Sequence, residues 1–113
     1  MKEKAFHSWR VGRFHLNFPN GNQISTVFGD GTYSDNHDSN AETDYLLKRT
    51  AEMPVFDSQT VEIMFSCGKK LEKKILKKYN EGSQDPIGYL EMPQWLEIVN
   101  LLSKEKKGAG VKV

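Results

Sequence analysis

The sequence predicts an α+β domain: an antiparallel sheet built on an N-terminal β-hairpin, packed by a C-terminal helix, with a lysine-rich amphipathic helix alongside. Three observations carry the prediction. Phe14, Leu16 and Phe18, and then Ile24, Thr26 and Phe28, alternate with other residues at the period of a half-buried strand. Near the C-terminus Trp95, Ile98, Val99 and Leu102 recur at helical spacing after Pro93, which opens the helix at the first position, where proline is tolerated. Between these, residues 69–80 place Lys69, Lys70, Lys73, Lys74, Lys77 and Lys78 on one half of a helical cylinder and Leu71, Ile75, Leu76 and Tyr79 on the other. Strand alternation fits that segment poorly.

The chain has 113 residues, 37% hydrophobic and 27% charged. That suits one domain over residues 1–103, followed by a flexible basic tail over 104–113. Its aromatic and aliphatic content excludes global disorder. No apolar run approaches the ~20 residues that cross a bilayer. The N-terminal residues lack the apolar core of a signal peptide, and Cys67 is the sole cysteine, so a reducing cytoplasm is the expected compartment.

The hairpin has its own register problem. Pro19, Asn20, Gly21 and Asn22 separate the two alternating runs, and Asn-Gly is a strong turn signal. A two-residue turn at Asn20 and Gly21 would oppose Phe18 to Gln23 and mix the two faces. A three-residue loop over 20–22 opposes Phe18 to Ile24 and Phe14 to Phe28, which keeps the apolar side chains together. Upstream, residues 5–11 with Phe6 and Trp9 add an edge strand, and Gly12 marks a bend. Residues 29–40 are rich in turn formers. Residues 41–50 form a short helix ended by Pro54. Val61, Ile63 and Phe65 form another strand, and Ile87 to Leu90 a short one. Asn80, Glu81 and Gly82 stop the lysine-rich helix. Met92 is a poor cap for the last.

Charge is unevenly distributed. Residues 1–68 hold six Lys/Arg against nine Asp/Glu, and residues 69–113 hold ten lysines against six acids. With a near-neutral isoelectric point, any anion site must be local. Gly29, Gly31, Thr32 and Tyr33 leave a strand in a turn whose amides could face an anion, though without the lysine of a P-loop or the pattern of a dinucleotide fingerprint. Asp30 and Asp35 would oppose phosphate there unless they cap backbone amides or meet sugar hydroxyls. His7, His15, His37 and Cys67 lack the paired spacing of a zinc site, and Asp35, Asp38, Asn40 and Glu42 lack the order of a calcium loop. No metal, cofactor or catalytic residue is expected. Cys67, at the end of an apolar strand, reads as filler rather than nucleophile.

The run Phe18-x-Asn20-Gly21-x-x-Ile24-Ser25-x-x-x-Gly29-x-Gly31-x-Tyr33-x-x-Asn36, with Val61-Glu62-Ile63 and Gly88-Tyr89-Leu90 further on, resembles small, mostly uncharacterised accessory proteins encoded by bacteriophages and prophages. The resemblance implies a non-enzymatic counter-defence role in the host cytoplasm. One expectation is a homo-oligomeric sponge that sequesters an anionic nucleotide signal of host immunity. Gly29, Gly31, Thr32, Tyr33 and Asn36 would line its site, and Lys70, Lys74 and Lys78 would neutralise phosphate. A second is a protein–protein inhibitor of the anti-CRISPR type, anchored by Trp9, Tyr33 or Trp95. A third is general nucleic-acid binding.

Overall fold

A computed structural model describes residues 4–84 and 86–104. The tail expected over 104–113 lies, from residue 105 on, outside the described residues. The chain runs β1 (Phe6–Trp9), β2 (Arg13–Asn17), β3 (Gln23–Val27), α1 (Ala41–Leu46), β4 (Val55–Ser58), β5 (Thr60–Ser66), α2 (Lys69–Asn80), β6 (Ile87–Glu91) and α3 (Met92–Lys104). Strands β2, β3, β5 and β6 form a four-stranded antiparallel sheet in that order, while β1 and β4 pair in a separate two-stranded sheet. The class is α+β, with the C-terminal helix on one sheet face.

Alternation decides that face. Ile24 and Thr26 of β3 and Val61 and Ile63 of β5 are buried together with Leu71 and Ile75 of α2 and Ile98 and Leu102 of α3. Fully burying one such aliphatic side chain contributes about 1.5–3 kcal/mol, so this layer supplies most of the driving force. Thr26 is the polar member, and its hydroxyl accepts a hydrogen bond from Trp95 Nε1 at 3.0 Å. Phe6 and Phe14 both meet the Trp95 ring edge-on, at 5.5 and 6.0 Å, and Phe6 thereby docks the small sheet onto the main core.

The hairpin keeps the expected faces but in a different register. Leu16 lies opposite Ile24 and Phe14 opposite Thr26, one step of two residues from the expected pairing. The loop has three residues, but they are Pro19, Asn20 and Gly21: Phe18 N–H donates to Asn22 O, and Gly21 N–H to Phe18 O. Asn22 is thereby freed for a different role. It is buried, and its side-chain amide and that of Asn20 both donate to Leu102 O, at 2.8 and 2.7 Å. A helix leaves its last carbonyls without partners, and the hairpin tip satisfies one of them for α3.

Three further elements depart from expectation. The strand at residues 5–11 is present as β1, but it pairs with β4 rather than with the hairpin. The helix over 41–50 stops at Leu46, with Lys48 in the left-handed region at φ 59°. Helix α3 begins at Met92, so Pro93 is its second residue, and Gln94 Oε1 accepts from Glu91 N–H at 2.9 Å, half of a capping box. Helix α2 ends at Glu81 (φ 51°), where Gly82 N–H reaches back to Leu76 O. Glu97 clamps α2 to α3 by accepting from Lys78 Nζ at 2.5 Å and from the Tyr79 hydroxyl. The Lys78 ammonium and the Tyr79 hydroxyl hold its carboxyl below the usual range.

Gly12 is where the chain passes over the start of the loop after β3. A Cβ at Gly12 would lie 2.6 Å from both Cα and N of Gly29, whereas a Cβ at Gly29 would find its nearest neighbour at 3.4 Å. Gly12→Ala therefore forces backbone apart and is expected to cost about 1–3 kcal/mol of stability. Gly29→Ala should cost clearly less. Urea unfolding of the two variants checks the contrast, which equal losses would contradict.

Candidate functional site

Residues 29–40 have little regular structure, yet their polar groups are extensively bonded. The Asp30 carboxylate accepts from the amides of Glu42 and Thr43 through Oδ2, at 3.0 and 3.1 Å, and so caps α1 from ten residues upstream of Asn40. Asp35 accepts from Gln59 N–H at 2.8 Å and from the Thr60 hydroxyl at 2.7 Å, and its own amide donates back to Thr60 Oγ1. Asn36 donates its side-chain amide to Phe28 O at 2.7 Å and to Asp57 O at 3.1 Å. Both aspartates that would oppose an anion are thus occupied by backbone amides. Partial burial pushes the Asp35 carboxyl up, but the Gln59 amide, the Thr60 hydroxyl and the charge of Lys4 outweigh it and leave the group below its ordinary range.

The loop presents Tyr33. Its ring stacks on His37, with centroids 5.5 Å apart and planes 14° from parallel, and it lies 6.4 Å from the Tyr89 ring. Tyr33 is 50% exposed and Tyr89 54%. The backbone under this group is fixed on both sides: Tyr33 N–H donates to Glu62 Oε1 at 2.8 Å, and Tyr33 O accepts from Tyr89 N–H at 2.8 Å. The approach is possible because residue 88 is glycine, since a Cβ there would fall 2.5 Å from Tyr33 Cβ. The β5–β6 register shifts between Val61 and Ile63, and Tyr89 takes φ 52° beside that irregularity. A bulky residue in the left-handed region costs on the order of 1–3 kcal/mol, and such strain gathers at functional surfaces.

The expected site residues separate into three groups. Tyr33 is on the exposed platform. Gly29, Thr32 and Asn36 hold the loop together: Gly29 is buried, the Thr32 hydroxyl donates to Gly29 O at 2.8 Å, and Asn36 bridges to β4. The amides of Thr32, Tyr33, Ser34, Asp35 and Asn36 all donate within the protein, so they do not form an open cradle for phosphate. Gly31 is exposed, at φ 73°. Lys70, Lys74 and Lys78 form the third group. Helix α2 packs on the sheet face of Val61 and Ile63, whereas Tyr33 bonds Glu62, which alternates to the opposite face. The lysines and the loop are not brought together. His37, Glu62 and Tyr89 are partners that the sequence did not assign to this site, although Gly88 within a strand was a signal for close backbone approach.

Beside the loop, Arg13, Asp30, Thr32, Glu42 and Thr43 line an open cleft of about 250 Å³ together with Gly12 and Gly29. The second oxygen of Asp30, Oδ1, is buried and has no hydrogen-bond partner among the described residues. The described residues contain no group of three or more His, Cys, Asp or Glu placed to hold a metal ion, and no helix long and apolar enough to cross a membrane. No protein-family model, curated protein or solved structure matches the chain.

Because Asp35 titrates below its unfolded value, its contribution to stability is complete above the ordinary carboxylate range and is lost as pH falls through the lowered folded value. Asp35→Asn should remove that part of the acid dependence and speed exchange of the Gln59 amide. Melting curves between pH 2.5 and 6 with hydrogen exchange, both on the order of routine precision, check this. An unchanged acid slope in the variant would contradict the assignment.

Proposed function

We propose that the chain is a non-catalytic binding protein that docks a partner protein on the platform of Tyr33, His37 and Tyr89. The observation that carries the reading is the fixed, half-exposed Tyr33 against the strained Tyr89, both tied to the sheet through backbone hydrogen bonds. Tyrosines supply large contact area at low entropic cost, and a preformed surface avoids the ordering cost of binding. In the setting implied by the resemblance to phage accessory proteins, the partner is a component of a host defence complex and the chain is its inhibitor in the host cytoplasm.

Affinity capture from host lysate with wild type, Tyr33→Ala and Tyr89→Gly tests it. Wild type is expected to retain a stoichiometric protein, and each variant to bind it at least about tenfold more weakly, as hot-spot truncation does. Tyr89→Gly also relieves the left-handed strain, so its melting temperature should equal or exceed that of wild type. Capture that is indifferent to both substitutions would sink the reading.

A second reading, the nucleotide sponge, is favoured by the cleft beside the loop. Arg13 lines that cleft and would face phosphate in place of the distant α2 lysines. Calorimetry against cyclic and linear nucleotides should give heat with wild type and little with Arg13→Gln. Absence of heat throughout the panel removes this reading and leaves the first untouched.

A further inference from the structure

The lysine face of α2 has no part in the platform or the cleft. Six of the twelve residues in Lys69–Asn80 are lysines and one is acidic, Glu72. Lys78 is engaged by Glu97, while Lys69, Lys70, Lys73, Lys74 and Lys77 are exposed and form no ion pair among the described residues. The helix carries a formal +5 in a chain of +1, so the remaining residues sum to −4.

Stability does not account for this arrangement. Lys69, Lys73 and Lys77 stack like charges at i,i+4, and so do Lys70 and Lys74, each pair unfavourable to the helix. Lys69 and Lys70 also stand in the first turn, where the helix dipole is already positive, and Gly68 offers no capping side chain there. A face kept only for solvation mixes signs, with glutamates four residues ahead of lysines. Here the repulsion is left to screening by salt, and an anion lying across the rows would relieve it further.

We propose that this face binds the phosphate backbone of a nucleic acid, independently of the loop platform. Charge density selects the occupant. Residues 69 to 77 rise about 12 Å along a helix, so the five free lysines present one charge per roughly 2–3 Å. A nucleic-acid strand carries one phosphate per about 3.4 Å. A small anion would occupy two of these lysines, whereas a duplex, with one phosphate per about 1.7 Å of axis over its two strands, offers a partner to all five. Lysines act as point charges, so the contact reads no sequence. Because α2 covers the opposite side of the sheet from Tyr33, both surfaces are open to partners at once.

Fluorescence anisotropy with labelled DNA and RNA oligonucleotides of about 20 nucleotides, single-stranded and duplex, tests the proposal in the full chain. With five lysines engaged, duplex affinity should fall about 500-fold as salt rises fourfold, from about 50 to 200 mM. In the triple variant Lys69→Gln, Lys73→Gln, Lys77→Gln the same change should cost only about 12-fold. Its helical circular dichroism should be retained and its melting temperature no lower than that of wild type, which separates lost binding from lost folding. No binding at the lower salt, or a salt response unchanged in the triple variant, overturns the proposal. So does preferential, charge-for-charge binding of a poly-glutamate peptide, which would assign the face to an acidic protein instead.

Discussion

The side-chain amide of Asn36 is the contact on which the shape of the loop over 29–40 depends. With one nitrogen it reaches Phe28 O, at the end of the hairpin strand β3, and Asp57 O, in β4 of the smaller sheet. The two sheets share no strand, so this amide joins the backbone of one to that of the other. A buried carbonyl left without a donor costs about as much as a lost hydrogen bond, and Asn36 removes that cost at buried Phe28 while tying exposed Asp57 to the same amide. Asp30 and Asp35 complete the fastening from the acceptor side. A segment that by composition belongs among flexible loops is therefore held in one shape by three short polar side chains.

Much of this architecture was legible from residue spacing. Period-two alternation fixed which side chains of β2, β3 and β5 face the core, and helical spacing fixed the buried stripe of α3. Register was less legible, because moving the hairpin loop by one residue shifts the pairing by two and preserves both faces. What decides between the two pairings is the distant Leu102 carbonyl, which draws Asn22 inward. Sequence-local rules contain no information about such a contact. The β1–β4 pairing was hidden for a related reason, since four-residue strands joined across about fifty residues leave hardly any periodic signal.

The candidate site was legible in location and not in chemistry. The glycine-rich stretch does carry the exposed Tyr33, but the amides that looked available for an anion are satisfied by Glu62, Thr60, Ser34 and neighbouring carbonyls. Loop amides pressed against a sheet must find acceptors, and the acids that counted against phosphate are themselves taken up by amides outside the loop, those of Glu42 and Thr43 for Asp30 and that of Gln59 for Asp35. The lysines were readable as one face of a helix. Their position behind the sheet required the alternation of Glu62 against Val61 and Ile63 to be placed in three dimensions.

The clasp between the hairpin tip and α3 joins residues separated by 82 and 80 positions, Asn20 and Asn22 with Leu102. During synthesis the hairpin leaves the ribosome long before its acceptor has been translated. The tip, and the buried Asn22 within it, must wait in water until nearly all of the described chain is made. Closure of so long a loop is slow relative to local turns. Assembly of the main sheet is thereby timed to the arrival of its last helix, and a ribosome paused upstream of Leu102 would hold a nascent chain whose first hairpin is still unfastened.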